Sequence, residues 1–337
     1  MTLLSKVGSI GFPNLGIGDF DPADGFTIFG FEIKFYGVII AFGLLLAVLY
    51  AMRRAREFGL TSDDILDIVL IGTPSAIVGA RLYYVLSHGT PFREWLSIRD
   101  GGLAIYGAVI GAVLSLTIYY LLSKKRRRKF LSALDVGGLG LLIGQAVGRW
   151  GNFFNREAFG TYTDGLFAMR LSENRLNGLV ELKDSPAMQT LRDNAVDGFI
   201  QVHPTFLYES AWNVLGLILL HFLSKKRKFD GQVFLYYIAW YGLGRAFIEG
   251  LRMDSLMPGD IRISQVLGGV SCLIAVAILI YFLCFKRPSG EGLLVRRLAA
   301  EAEAARAAEE TEEAAADAQE PQEAEENSET EEEHGTV

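Results

Sequence analysis

Cysteine and histidine are scarce in this chain, which has two cysteines and four histidines among 337 residues. Cys272 and Cys284 lie in the last apolar stretch. The twelve helical positions between them turn through about 120° beyond three full turns, so the two thiols do not share a helix face. The sequence therefore predicts neither a disulfide nor a metal site here and favours buried, inert thiols.

Several catalytic signatures are also missing. No set of His, Asp and Glu has the spacing of metal ligands, and no serine or cysteine nucleophile stands beside a base. No Walker or dinucleotide-binding glycine motif occurs, and no internal repeat is found. The N-terminal stretch lacks the basic flank and continuous apolar core of a cleavable signal peptide. We therefore expect no metal, no cofactor and no cleaved leader.

Apolar residues make up half of the chain, and the mean hydropathy is +0.27. This composition is too apolar for a soluble enzyme and indicates an integral membrane protein. The net charge of −7 is unevenly divided, because residues 301–337 carry −14 and the preceding 300 residues carry +7. The membrane body is therefore basic, which suits anionic lipid, and the acidic tail is a separate segment.

Seven stretches are long and apolar enough to predict spanning helices. They cover residues 35–52, 65–86, 104–123, 131–149, 205–223, 232–250 and 263–285. Basic clusters follow the first, third, fifth and seventh stretches, at residues 53–56, 124–129, 225–228 and 286–287. Seven spans put all four clusters on one side, and the positive-inside rule makes that side cytoplasmic. Topology thus explains the basic clusters, and no nucleic-acid function is expected.

The predicted fold is an all-α integral membrane protein with seven transmembrane helices, an N-terminus outside, a cytoplasmic C-terminus and a small external head domain. Residues 1–34 form the external N-terminal segment, and residues 35–287 form the seven-helix domain that carries the candidate catalytic site, with the head at 150–204. Residues 288–337 form an acidic Ala/Glu-rich tail, in which 291–316 is predicted to be helical and the rest disordered.

Polar side chains from six of these spans gather near their outer ends. The richest segment, GRWGNFFNREAFG at residues 148–160, follows the glycine-rich fourth span. Charged groups in membrane helices cost about 2.5–3.5 kcal/mol each at mid-bilayer on insertion scales, so such a cluster indicates a function. Its members are Tyr36, Arg81, Tyr106, Arg149, Asn152, Asn155, Glu157, His203, Glu209, Tyr241, Arg245, Glu249 and Arg252.

Arginines beside amide donors make a clamp for phosphate, and this one lies at the depth of an outer-leaflet headgroup. A chain that holds phosphate without a nucleophile of its own suggests transfer from a lipid to a nucleophile on a second substrate. Structural alternatives remain open. Outer-end arginines such as Arg252 and Arg156 can snorkel to the headgroups. Arg245 and Glu249 can form a purely structural pair. Tyr36 can be an ordinary interfacial aromatic.

Four blocks of the chain resemble the prolipoprotein diacylglyceryl transferase family, in the family's order. They are residues 148–160, 100–107, 203–209 and 241–252, and the resemblance covers roughly residues 30–285. It implies a multi-pass enzyme of the bacterial cytoplasmic (inner) membrane. Such an enzyme transfers the diacylglyceryl group of phosphatidylglycerol to the lipobox cysteine that follows the signal peptide of a preprolipoprotein. A thioether forms and glycerol phosphate leaves.

The resemblance also implies roles for individual residues. Arg149 and Arg245 are expected to hold the phosphodiester and stabilise the leaving phosphate, with Glu157 and Glu249 positioning them. Further substrate-binding residues are expected to be Asn152, Asn155, Tyr36, Tyr241 and Arg81, with His203, Glu209 and Arg252 in support.

The chain departs from the family pattern at Tyr106, where some members have a histidine that has been proposed as the base. A tyrosine with a reference pKa near 10 is a poor base at neutral pH. The base can therefore be Tyr106 beside an arginine, His203 or a glutamate, or the field of the clamp alone suffices.

Two other functional classes compete with the transferase. A transporter or flippase for an anionic lipid would favour polar residues through the inner halves of the helices or an internal repeat, and the sequence has neither. A non-catalytic lipid-binding scaffold would bind phosphatidylglycerol without processing lipoproteins. Both remain alternatives to be tested.

Overall fold

The computed structural model describes residues 2–3, 8–91, 95, 102–178, 185–253 and 262–311. Asp100 and Gly101, which belong to one of the four blocks, lie outside these residues, as does the tail from 312 onward. The helices are α1 Phe35–Arg54, α2 Ser62–His88, α3 Ile105–Leu121, α4 Lys124–Arg127, α5 Phe130–Asn155, α6 Pro186–Asp193, α7 Thr205–Ser224, α8 Gln232–Ile248 and α9 Ile263–Ile280. A further helix covers residues 294–311.

A helix occurs at each of the seven predicted positions, namely α1, α2, α3, α5, α7, α8 and α9. Among the described residues, five helices are long and apolar enough to cross a membrane: α1, α2, α5, α7 and α9, with their short extensions. The other two, α3 and α8, have 17 residues each. At 1.5 Å per residue they measure about 26 Å, less than the ~30 Å hydrocarbon core. The chain is therefore mostly helical and membrane-embedded in character.

The glycine-rich helix α5 lies at the centre of the bundle, and α1, α7 and α8 pack around it. It is the most buried of the five candidate spans. Gly138 lies against the Tyr237 side chain of α8, so that a Cβ there would be 3.1 Å from the Tyr237 Cβ. The pairs α2–α3 and α8–α9 complete the bundle. Because Arg149 is near the end of α5, this central position brings it beside α7 and α8.

In the part of the chain that the structure describes, seven short strands form two antiparallel sheets, which the all-α prediction missed. The strands are β1 Thr2–Leu3, β2 Ile10–Phe12, β3 Ile17–Phe20, β4 Gly25–Ile28, β5 Phe31–Lys34, β6 Met169–Ser172 and β7 Phe199–Val202. One sheet has the order β1-β4-β5 and the other β3-β2-β6-β7. The second sheet joins the N-terminal segment to the predicted head, with Ile10 opposite Leu171. Strands of two to four residues give no recognisable alternation pattern, which explains why the sequence did not predict them.

The tail begins as part of the bundle. Leu293 and Leu294 are buried, and Leu294 packs in the core cluster that includes Phe58 and Leu60. The Leu294 amide donates to Asp230 Oδ2 at 2.9 Å, and Glu301 forms an ion pair with Arg128. Residues 293–301, called here the C-terminal strap, thus contact three connections at the end of the bundle that carries the basic clusters. We call this the basic end.

Both cysteines are free, and the prediction of burial was wrong. Cys272 is partly buried and Cys284 is exposed on the helical extension Tyr281–Lys286 that follows α9. A side chain on a candidate span needs no protein cover, because lipid also accepts apolar groups. Amphipathic periodicity therefore does not separate protein-facing from lipid-facing positions here.

Candidate functional site

Glu209 lies at the centre of the polar cluster, at the end of the bundle opposite the basic end. This carboxylate in the second turn of α7 is only 4% exposed. Its Oε2 is 2.6 Å from Nη2 of Arg149 and 3.3 Å from Nη1 of Arg245. Its Oε1 is 3.5 Å from Nη1 of Arg252. One carboxylate thus collects three guanidinium groups, from the end of α5, from α8 and from the segment after α8.

Glu249 supplies the second carboxylate. It lies one turn after Arg245, and its Oε2 is 2.5 Å from the Arg245 Nη2. The Glu249 main-chain carbonyl accepts a hydrogen bond from Arg262 Nη1 at 2.7 Å. Arg245 is therefore held between two carboxylates, Glu209 on α7 and Glu249 on its own chain segment. We call Arg149, Glu209, Arg245, Glu249 and Arg252 the arginine cluster.

Backbone hydrogen bonds join the three segments that carry this cluster. The Gly160 amide donates to the His203 carbonyl at 2.9 Å, and the Thr161 amide donates to the Leu251 carbonyl at 2.8 Å. The Met253 amide donates to the Phe159 carbonyl at 3.2 Å. A Cβ on Gly160 would lie 2.6 Å from the His203 Cβ, so only glycine fits. The end of the 148–160 signature is thereby fixed between the start of α7 and the end of α8.

Two stacked tryptophans hold α7 against α8. The rings of Trp212 and Trp240 lie 4.3 Å apart, and each indole N–H donates to the other residue's carbonyl, at 3.0 and 2.9 Å. Gly244 faces Trp212 and Gly216 faces Trp240, and a Cβ at either glycine would lie 2.3 Å from an indole nitrogen. This pairing fixes the register that brings Glu209 opposite Arg245. The tryptophans were not among the predicted site residues.

The two asparagine side chains of the signature both donate hydrogen bonds to Glu157. Asn152 Nδ2 donates to Glu157 Oε1 at 2.9 Å, and Asn155 Nδ2 donates to the same oxygen at 3.3 Å. Arg149 Nη1 reaches Asn152 Oδ1 at 3.4 Å. Glu157 is thus connected to Arg149 through Asn152, whereas the carboxylate in direct contact with Arg149 is Glu209. The expected contact between Glu249 and Arg245 is present. Glu157 instead accepts hydrogen bonds from the Asn152 and Asn155 amides, and no direct Glu157–Arg149 bond is found in the described part of the chain.

Arg156, the second arginine of the signature, binds the N-terminal segment. It is fully buried and caps α5 with a left-handed backbone (φ 50°). Its guanidinium donates to the Gly8 carbonyl at 3.1 Å and pairs with Asp21 at 3.1 Å. It also donates to the carbonyls of Phe154 and Pro22. The snorkelling interpretation is therefore wrong for Arg156, since its partners are all in the protein.

The two predicted tyrosines Tyr36 and Tyr241 pack through their rings. The Tyr36 ring covers Gly151, where a Cβ would lie 2.6 Å from Tyr36 Cδ2, so this glycine brings the first helix close to Arg149 and Asn152. Tyr241 stacks on Tyr237 with ring centroids 5.8 Å apart. Tyr36 is thus next to the signature, and Tyr241 lies one turn before Arg245 on α8.

Two predicted residues lie on the helices α2 and α3. Arg81 donates to the carbonyls of Trp95 and Gly102, both at 3.0 Å, and thereby holds the connection between α2 and α3. Tyr106 is 40% exposed, and its nearest aromatic neighbour is Tyr83, with centroids 6.3 Å apart. Both belong to the α2–α3 pair, which packs beside α1.

His203 precedes α7, and its main-chain carbonyl accepts the hydrogen bond from the Gly160 amide. Its Nδ1 lies 3.3 Å from the Tyr208 hydroxyl. Burial lowers the pKa of this imidazole below its usual 6.5, because the charged form is poorly solvated. The ring is therefore neutral at pH 7, and it can accept or donate one hydrogen bond at each nitrogen according to its tautomer.

The arrangement is suited to binding a small anion. Three guanidinium groups against two carboxylates give the arginine cluster a formal charge of +1. Arginine donors at a partly buried site bind phosphate oxygens in a fixed geometry. Among the described residues, no group of three or more His, Cys, Asp or Glu side chains could hold a metal ion.

Comparison with known proteins identifies the family. The family model described as prolipoprotein diacylglyceryl transferase matches residues 24–281. A phosphatidylglycerol–prolipoprotein diacylglyceryl transferase of Clostridium novyi is 39% identical over 259 residues, covering 76% of this chain and 93% of the relative. Proteins of the same name from Enterococcus faecalis and Bacillus mycoides are 42% and 41% identical, covering 76% and 77% of this chain and 88% and 90% of those relatives. The chain therefore belongs to the prolipoprotein diacylglyceryl transferase family of enzymes.

Proposed function

We propose that this chain transfers the diacylglyceryl group of phosphatidylglycerol to the thiol of a lipobox cysteine in a preprolipoprotein. The observation that carries the proposal is the contact of Arg149, Arg245 and Arg252 with one buried carboxylate. A phosphodiester monoanion matches the cluster's formal charge of +1. The names of the relatives supply the two substrates.

The proposed reaction is a displacement at carbon. The thiol of the lipobox cysteine loses its proton, and its sulfur forms a bond with the glyceryl carbon that carries the phosphate. The bond between that carbon and the phosphate oxygen breaks, and glycerol phosphate leaves with the electron pair. Arg149 and Arg245 stabilise the negative charge that grows on the leaving phosphate, which lowers the barrier because the donors are already oriented.

The other residues act around this clamp. Asn152, Asn155 and Glu157 form a hydrogen-bonded group that orients the headgroup, and Tyr36 and Tyr241 line its approach. The charge of the thiolate is favoured by the net positive cluster. Tyr106 and Arg81 lie on the α2–α3 pair, so they act on the incoming peptide or lipid rather than on the phosphate. Glycerol phosphate and a thioether are the products whichever group takes the proton.

The membrane arrangement is part of the proposal. Seven helices cross the bacterial cytoplasmic membrane with the N-terminus outside, so the arginine cluster lies in the outer half of the bilayer. The basic end then faces the cytoplasm, in agreement with the positive-inside rule. Both substrates are lipid-embedded and enter sideways between helices.

A purified-component assay tests the function. The protein in detergent is incubated with phosphatidylglycerol and a lipobox peptide, and mass spectrometry measures the diacylglyceryl mass gain on the peptide and the released glycerol phosphate. A peptide with serine for the lipobox cysteine should gain no mass. Arg149→Ala should lose at least about a hundredfold in rate, by analogy with removal of one oxyanion donor.

Arg53→Ala is the matched control, because Arg53 is an exposed arginine in the last turn of α1 at the basic end. It should transfer at the wild-type rate. Transfer that survives Arg149→Ala would refute the clamp. Binding of phosphatidylglycerol without transfer by the wild type would favour the lipid-binding or transport alternatives.

A further inference from the structure

Glu209 has three cationic partners within the site. Its carboxylate is almost fully buried, and both of its oxygens are used, Oε2 by Arg149 and Arg245 and Oε1 by Arg252. Its main-chain carbonyl is fixed by Asn213 Nδ2 at 2.8 Å. Without this carboxylate, three guanidinium groups from separate segments would repel one another in a poorly solvated place.

The charge of the cluster depends on Glu209. With it, the five residues of the arginine cluster sum to +1. Two charged residues lie next to the cluster: Glu157 is linked to Arg149 through Asn152, and Arg262 donates to the Glu249 carbonyl. Their charges are opposite and leave this sum unchanged. A bound phosphodiester, which carries one negative charge, therefore brings the site to neutrality. Without Glu209 the cluster would carry +2.

The cluster's formal charge of +1 has a different consequence for the leaving group. A phosphate monoester has a second pKa near 6 and carries two negative charges at pH 8. Bound to a cluster of +1, it leaves the site with an excess negative charge, which favours release. Bound to a cluster of +2, it would be fully neutralised and held.

We propose that Glu209 is a positioning residue that sets the charge of the arginine cluster so that a phosphodiester is held and a phosphate monoester is released. This inference rests on the proposed function, because glycerol phosphate is its product. Glu209 contacts the arginines and not the reacting atoms. Its effect is therefore on product affinity more than on the displacement step.

The test compares Glu209→Gln, which keeps the shape and removes the charge, with Glu209→Asp, which keeps the charge. Isothermal titration in detergent at pH 8 measures the binding of glycerol phosphate, and the transfer assay measures its inhibition constant. In Glu209→Gln the product should bind at least about tenfold more tightly, since close charge pairs couple by more than this in measured complexes. Glu209→Asp should stay within about threefold of the wild type.

A charge-balanced double variant separates this role from a merely structural one. Arg252→Gln alone lowers the cluster to a formal zero and should weaken product binding. Glu209→Gln combined with Arg252→Gln returns the cluster to +1 and should restore the wild-type inhibition constant. The pair also keeps the test open if Glu209→Gln alone fails to fold, because the double variant has the same net charge in the cluster as the wild type.

The results discriminate clearly. Product binding that is unchanged or weaker in a folded Glu209→Gln protein overturns the inference, as does a double variant that binds less tightly than Arg252→Gln alone. Binding by titration needs no turnover. The wild type and the variants can therefore bind glycerol phosphate in the expected order of affinity while the wild type transfers nothing. That result would refute the proposed function and leave the charge assignment standing.

Discussion

Replacing Gly160 with alanine adds one carbon where the signature meets the start of α7 and the end of α8. That carbon would lie 2.6 Å from the His203 Cβ, 2.9 Å from the Leu251 carbonyl oxygen and 3.2 Å from the His203 carbonyl oxygen. Ordinary contacts between carbon atoms are about 3.5–4.0 Å, so the closest approach is short by about 1 Å. None of these atoms is the end of a flexible side chain, and the backbone segments themselves must separate.

The size of the effect follows from this separation. Overpacking of this kind costs about 1–3 kcal/mol. The hydrogen bonds from Gly160 to His203 and from Thr161 to Leu251 hold His203 and Arg252 in place relative to Arg149. A shift of about 1 Å in a catalytic arrangement can lower a rate by about a hundredfold. We therefore expect Gly160→Ala to lose activity by far more than it loses thermal stability.

The assay is the initial rate of diacylglyceryl transfer to a lipobox peptide, with thermal unfolding measured in the same detergent. Gly165→Ala is the matched control, because a Cβ there meets only the Thr163 hydroxyl, at 3.3 Å, which can rotate away. It should keep the wild-type rate. A Gly160→Ala protein with at least half of the wild-type rate would show that the three segments tolerate the separation and that this reasoning is wrong.

Three other predictions concern the fold and the supports of the site. Leu294→Ala should destabilise the protein by about 2–5 kcal/mol in thermal unfolding, since this leucine is 1% exposed in the core. Trp212→Phe keeps the stacking but leaves the Trp240 carbonyl without its indole donor, so the free energy of unfolding should fall by about 1 kcal/mol. The KM for phosphatidylglycerol should rise, because Glu209 and Arg245 lose their register. Arg156→Ala should free the N-terminal segment near Asp21, so limited proteolysis should cut there in the variant and not in the wild type.

Helix positions could be predicted from the sequence because each is a long apolar run. Protein-facing and lipid-facing positions in these runs are equally apolar, so the sequence does not distinguish them. Cys284 was therefore expected to be buried, but it is exposed. The strands were missed because each is short and pairs with a distant partner, as Ile10 does with Leu171. The C-terminal strap was missed because composition labels the whole tail acidic, whereas its contact depends on two leucines.

All five residues of the arginine cluster were among the predicted site residues, but their pairing could not be predicted. Arg149, Arg245 and Glu249 stood out as costly charges in apolar helices, and Arg245 and Glu249 share a helix face by spacing alone. The partner of Arg149 comes from another helix, so spacing along the chain could not distinguish Glu157 from Glu209. Arg156 and Arg149 look alike in the signature. Arg156, however, is itself the left-handed residue that ends α5, and its side chain binds the N-terminal segment.

The arginine cluster is better explained by function than by stability. Buried ion pairs repay their desolvation poorly, and apolar replacements of similar volume are often as stable. The supports around the cluster are of another kind: the close glycine contact at Gly160 and the mutual hydrogen bonds of Trp212 and Trp240. These contacts hold three like charges together around Glu209. Donors fixed in this way need little reorganisation when an anion arrives, and that is the property required of a site that stabilises a phosphate leaving group.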